Sequence, residues 1–274
     1  MAGPPKPGVD WGALCLHTVR MDLDIAEILK QWDYEPGSVA VRKFVGKDGQ
    51  EKIQLRVDLG LLQMNAQGRP DGKKPMGYPS LLEFFGARLA RHRAGQGGSK
   101  ADFRLTPEDC TKLQLEALQY HHRSICQMQL NDHAGVKRDT ERNLALFDFV
   151  KRYADPPEMA WVLQQFRPQL LMMHTRAVTA PLLRARNFTA AIARIEGGLE
   201  MIREFYLEHD RADLLEESHE LLSLQDWLEE VRRQRPVSKK ERLERQLAEA
   251  LEAEAYEKAA QLRDKLKKLE EKKA

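Results

Sequence analysis

Tyr256-Glu257-Lys258-Ala259-Ala260-Gln261-Leu262-Arg263-Asp264, followed by Leu266 and Leu269, is the most informative stretch of this chain. Tyr256 and the leucines form an apolar stripe at helical spacing. Just upstream, Leu243, Leu247 and Ala250 fall at i, i+4 and i+7, one face of a preceding helix. Pro236 ends whatever comes before, and Ser238 with Glu241 has the spacing of a capping box. Residues 236–274 are therefore expected to form two antiparallel helices. Ala259 and Ala260 are small, so the helices can approach closely near their turn, while Glu257, Arg263 and Asp264 lie among the charged faces. A unit of this size is expected to be unable to bury its own stripe. It then needs a partner, either another such hairpin (that of a second copy included) or a groove on a different protein.

This segment resembles the UVR motif, the C-terminal interaction domain of the excision-repair proteins UvrB and UvrC. The aromatic-Glu-x-Ala-Ala-x-Leu-Arg-Asp run carries the resemblance. Tyr256 stands where Phe is common and Leu247 where Met is common. The resemblance implies protein binding through Leu243, Leu247, Ala250, Tyr256, Glu257, Ala259, Ala260, Leu262, Arg263, Asp264, Leu266 and Leu269. It does not import repair chemistry. No G-x-x-x-x-G-K-[ST] loop occurs, and Gly95-Gln96-Gly97-Gly98-Ser99-Lys100 has the wrong spacing. UVR hairpins also occur in activators of protein arginine kinases and in Clp-type chaperones, but the paired C-x-x-C zinc sites of those activators are missing here. The whole chain resembles bacterial UVR-motif proteins of unassigned activity.

Upstream, residues 105–235 read as a bundle of long antiparallel helices. Thr106 is the expected N-cap of the first, with Pro107 at N1 and Asp109 at N3. Asp155-Pro156-Pro157 and Arg167-Pro168 punctuate the bundle, and Pro181 is expected to kink a helix. Asn131-Asp132-His133, with Val136 and Leu144, resembles Arg186-Asn187-Phe188, with Ala191 and Leu199, at an offset of 55 residues. Each reads as a tight turn between helices. The arrangement resembles tetratricopeptide repeats, but the period exceeds their roughly 34 residues. Phe147, Val150, Tyr153, Trp161, Phe166, Phe205 and Trp227 are core candidates, with a peptide groove between long helices as the alternative use.

Residues 19–92 read as a small module. Ile25, Ile28, Leu29 and Trp32 mark a short helix stopped by Pro36-Gly37. Val39 and Val41, the Lys47-Asp48-Gly49-Gln50 turn, and alternating Ile53, Leu55, Val57 and Leu59 mark a β-hairpin. A third strand is expected at Leu61–Asn65. Ser80 and Glu83 form a capping box for a further helix. Residues 1–18 are expected to be loosely ordered, and 93–104 to be a linker. The fold class is thus mainly α, α+β overall.

Composition bounds the rest. The 44 Lys and Arg residues against 42 Asp and Glu leave a net charge of +2, too little to hold the chain on a polyanion globally. A local patch of Arg232, Arg233, Arg235, Lys239 and Lys240 is the candidate nucleic-acid contact, and Arg88, Arg91, Arg93 and Lys100 the next. Cations at helix ends and in solvated linkers are the favoured reading of both, and nucleic acid is not an expected partner. Cys15, Cys110 and Cys126 form no C-x-x-C pair and suggest reduced thiols in a cytoplasm. No secretory signal and no membrane-spanning apolar run are visible. His121-His122 lie about 100° apart on a helix and share a metal poorly. No catalytic residues, metal or cofactor are expected, and the chain reads as a non-enzymatic adaptor. A DNA-repair accessory factor is the alternative.

Overall fold

The computed structural model describes residues 24–95, 102–236 and 239–271. The expected loose N-terminus, 1–18, lies outside them. A short helix, α1 (Ala26–Lys30), precedes three antiparallel strands, β1 (Val41–Val45), β2 (Glu51–Val57) and β3 (Gly60–Asn65), in that spatial order. Gly46 and Gln50 close the first turn, where the Gly46 N–H donates to the Gln50 carbonyl at 2.8 Å. Gly49 supplies the positive φ of +73° that an L side chain resists. Ile53 pairs with Met64, and both are buried with Ala66. The alternation expected through Leu59 ends early. β2 stops at Val57, and Leu59 sits exposed in the turn to β3. The opposite face carries a polar rung instead. Buried Gln54 accepts from Arg42 Nε at 2.7 Å and donates to Gln63 at 2.8 Å, and Arg42 lies over the Trp32 ring.

The helical part comprises α2 (Leu81–Arg93), α3 (Pro107–Gln129), α4 (His133–Tyr153), α5 (Trp161–Gln164), α6 (Arg167–Arg184), α7 (Phe188–Glu208) and α8 (His219–Gln234). Thr106 and Asp109 make the full capping box at the start of α3. At α2 the expected box is half replaced. Ser80 accepts from the Glu83 N–H, while the Leu81 and Leu82 N–H groups donate to Glu116 of α3 at 2.8 and 3.3 Å. Pro156 and Pro157 break the chain between α4 and α5, Pro168 sits in the first turn of α6, and α6 runs on through Pro181. Of the expected linker, residues 102–104 precede a chain that is already packed. Phe103 and Leu105 are buried, and Leu105 bridges to Ala154 in parallel.

Two helical pairs, α3–α4 and α6–α7, turn in the same way. Asn131 and Arg186 both take φ of 56°. The next residue, Asp132 or Asn187, caps the following helix from its side chain, accepting from the Gly135 or Ala190 N–H. Its own N–H donates back to Gln127 or Leu182 at 2.8 or 2.9 Å. Both α4 and α7 have 21 residues and begin 55 residues apart. The sequence resemblance between the two turns is therefore a resemblance of backbone geometry. Successive helices α3, α4, α6, α7 and α8 pack on their neighbours. α6 and α7 approach closely because Gly198 presents no Cβ to Thr175.

The sheet joins this bundle through ions as well as apolar contacts. Ile53 and Met64 share a cluster with Cys126 of α3, and Leu81 and Phe85 of α2 share one with Leu113, Leu146 and Val150. Between them lies Arg123, fully buried. It grips Asp139 of α4 at 2.6 and 2.8 Å, and its Nη1 donates to the carbonyls of Asn65 and Gly68 at 2.9 and 2.7 Å. Replacing Arg123 with Ala would strand a buried carboxylate and two carbonyls. We expect a loss of about 3–5 kcal/mol, read from urea denaturation. A loss below about 1 kcal/mol would show that Arg123 does not clamp the sheet to the bundle.

Candidate functional site

The C-terminal helices are α9 (Lys239–Glu252) and α10 (Tyr256–Glu271). Their junction reuses the turn of the bundle. Glu254 takes φ of 53°, and the Ala255 N–H donates back to the Ala250 carbonyl at 2.8 Å. Leu243, Ala250, Ala259 and Leu262 are buried in a cluster made only of hairpin residues, with Leu247, Ala255 and Leu266 partly buried around it. The hairpin thus hides much of its own stripe, contrary to the expectation that two helices could not. The small Ala250 and Ala259 are the reason, because they let the helices close until the leucines meet.

The twelve sequence-predicted residues accordingly divide. Leu243, Ala250, Ala259 and Leu262 are internal. Leu247 and Leu266 lie at the margin. Tyr256, Glu257, Ala260, Arg263 and Asp264 face solvent. Ala260 does not share the role of Ala259, since adjacent helical residues point about 100° apart. The side chains of Leu269 and Glu241, and the residue Ser238, lie outside what the structure describes. Tyr256 is 67% exposed and Leu251, which the sequence reading did not single out, is 44% exposed. These two flank the turn. Tyr256, Ala260, Arg263 and Lys267 follow at i, i+4, i+7 and i+11, an outer strip that begins apolar and ends cationic.

The basic cluster is partly committed to acidic partners. Arg232 is committed to Glu196 of α7 at 2.7 Å and Glu229 at 2.6 Å. The hydrogen bonds it donates to Glu229 and then to Glu196 raise its pKa, so it stays charged but is occupied. Arg233 is exposed, and the side chains of Lys239 and Lys240 lie outside the described residues. In the second patch, Arg88 pairs with Asp109 at 3.3 Å and Arg93 donates to the Tyr153 hydroxyl at 2.8 Å, while Lys100 is outside the described residues.

The remaining candidates are placed as follows. Cys110 and Cys126 are buried free thiols, and burial raises the pKa of both, that of Cys126 to about 11. Such thiols are poor nucleophiles near neutrality. Cys15 lies outside the described residues. Among the described residues no group of three or more His, Cys, Asp or Glu is placed to hold a metal, and no helix is long and apolar enough to cross a membrane. Phe147, Val150 and Phe205 are core, but Trp161 and Phe166 are exposed. Phe166 belongs to a groove of about 480 Å³ that also takes in Leu115, Leu118, Ile125 and Leu170. The sequence signal for it was a second apolar stripe on α3, Leu115, Leu118 and Ile125, away from the core stripe of Cys110, Leu113, Ala117 and Tyr120.

A family model of the UvrB/uvrC motif (UVR) matches residues 238–272, and so covers α9 and α10. No curated protein and no solved structure matches the chain.

Because Leu262 is internal, Leu262→Asp should unfold the hairpin itself. Removing the buried side chain alone costs about 2–5 kcal/mol. Hydrogen exchange should accelerate in 239–271 and stay unchanged in 107–234. Protection retained in α10 would show that Leu262 is not a core residue.

Proposed function

We propose that this UVR-motif protein is a non-enzymatic adaptor of the bacterial cytoplasm that binds another protein through its C-terminal hairpin. The observation that carries the reading is an exposed Tyr256 and an exposed Leu251 on either side of the turn, on a hairpin whose internal core is already closed. Large apolar groups left in water at a closed turn gain free energy when a partner covers them, roughly 25 cal/mol per Å² of apolar area. Tyrosine also carries a hydroxyl that suits an interface rim. Arg263 and Lys267 on the same strip add cationic neighbours, which favour a partner with carboxylates nearby. Two kinds of partner meet these terms: the hairpin of a second copy and a groove on a different protein.

The non-enzymatic reading is supported by the sequence, which lacks a phosphate-cradling loop, and by the two described thiols being buried. The alternative, a DNA-repair accessory factor, would place its affinity on the basic stretch between α8 and α9. Arg232 is already neutralised by Glu196 and Glu229, which weakens that stretch as a phosphate site.

Two measurements test the proposal. Affinity purification with wild type, Tyr256→Asp and Leu251→Asp should show a saturable partner that both variants lose, with helicity and the α3–α8 bundle intact by circular dichroism. Sedimentation equilibrium on the same proteins tells self-association from a foreign partner. Binding that both variants retain would remove the turn from the interface. Separately, a fluorescence titration with duplex DNA at two salt concentrations should give binding no tighter than roughly 10⁻⁶ M at physiological salt. Submicromolar binding, lost when Arg232, Arg233, Arg235, Lys239 and Lys240 are all changed to Ala, would instead favour the repair reading.

A further inference from the structure

The groove between α3 and α5–α6 is independent of the hairpin. Its α3 wall carries Leu115, Leu118 and Ile125, and its other wall Leu163, Phe166 and Leu170. Leu115, Leu118 and Phe166 are 58%, 47% and 52% exposed, although each is a large apolar side chain. α3 is therefore apolar on two faces. α4 covers one, and nothing among the described residues covers the other. A volume of about 480 Å³ lies within the range of ligand-sized clefts.

We propose that this groove is a second protein-binding surface, and that its occupant is an uncharged stretch of another protein's polypeptide carrying aliphatic or aromatic side chains. Charge selects the occupant first. No Asp, Glu, Lys or Arg lines the groove, in a chain where 31% of residues are charged. His121 and His122 are the titratable groups on its wall, and burial lowers the pKa of both, so they are neutral near pH 7. A charged side chain entering here would lose water and gain no counter-charge.

Hydrogen bonding selects it second. Gln114 on α3 and Gln169 on α6 both line the groove. Each side-chain amide offers two donor hydrogens and an acceptor oxygen. A bare hydrocarbon chain would cover them without replacing their bonds to water, which penalises it. A polypeptide supplies backbone N–H and C=O groups for the amides while its apolar side chains fill the space between Leu118 and Phe166. Contacts at the groove and at the hairpin turn would let one chain hold two partners, as the adaptor reading requires, but neither site depends on the other.

The test is selection of a random dodecapeptide library on the full-length protein, followed by anisotropy titration of the enriched peptides. We expect uncharged sequences rich in Leu, Ile, Phe or Trp. They should bind roughly tenfold or more weakly to Leu118→Glu and to Phe166→Glu, and equally well to Tyr256→Asp. Leu115→Glu, at the most exposed of the three positions, is the second variant should either of the others lower the melting temperature. No enrichment, enrichment of charged sequences, or peptides that bind Leu118→Glu and Leu115→Glu like wild type would overturn the proposal. So would laurate binding in the groove more tightly than any peptide. Displacement of every selected peptide by a synthetic peptide of residues 9–23 at equimolar concentration would also overturn it, by assigning the groove to the chain's own N-terminal segment.

Discussion

The guanidinium of Arg123 is the point on which the placement of the sheet depends. It is fully buried, yet four of its five donor hydrogens are met by oxygen. Asp139 takes two bonds, and the carbonyls of Asn65 and Gly68 take two more from Nη1. Those carbonyls belong to the end of β3 and the loop beyond it, so one side chain fixes α3 to α4 and both to the sheet. Arg138 repeats the gesture from the surface, donating to the Ala66 carbonyl at 3.2 Å and to Gln67 at 2.7 Å. A sheet of three short strands is stable only with an apolar face to bury or a helix to pack against. It is held because its loop carbonyls would otherwise be buried without donors, at a cost of about 1–3 kcal/mol each.

Glu116 does the corresponding work about two helical turns earlier on α3. It is also fully buried. It caps α2 through the Leu81 and Leu82 N–H groups, faces Arg69 of the same loop at 3.3 Å, and bonds to Arg142 of α4. Arg142 lies over the Tyr120 ring, 4.0 Å from its centroid, and Arg123 lies over the same ring at 4.9 Å. The carboxylate sits at a helix N-terminus, where the partial positive charge of the helix favours it. Fixing α3 in this way also fixes which of its faces is left over. With the core stripe turned to α4 and the polar residues turned to the loop and α2, Leu115 and Leu118 can only point outward.

Periodicity made the helices, the three strands and the paired turns at Asn131 and Arg186 legible, because each is a local pattern of apolar spacing or turn chemistry. The ion network was not legible for the same reason. Glu116, Arg123 and Asp139 read as solvent-facing in any count of apolar spacing, and only the tertiary partners reverse that. The reading of Leu59 failed because alternation says which side a residue takes but not where a strand stops. At the hairpin, the apolar residues were identified but their direction was not. Helical spacing shows that Tyr256 and Leu262 are apolar positions of one helix, and it took the packing of Ala250 against Ala259 to put Leu262 inside and leave Tyr256 out.

That division changes what kind of binding element the hairpin can be. A hairpin that needed its partner in order to fold would spend part of each contact's free energy on ordering its own helices, which for coupled folding amounts to about 2–5 kcal/mol or more. Here the internal cluster of Leu243, Ala250, Ala259 and Leu262 forms within the chain, and the turn closes by the Ala255-to-Ala250 bond before any partner arrives. On the proposed reading, the exposed Tyr256 and Leu251 meet a partner from a prepared position, and more of their burial appears as affinity. The same reasoning applies to the groove, whose walls are held by α3 and α6 within the bundle. Both surfaces are built on packed helices and apolar at their face, as the proposed adaptor role asks of them.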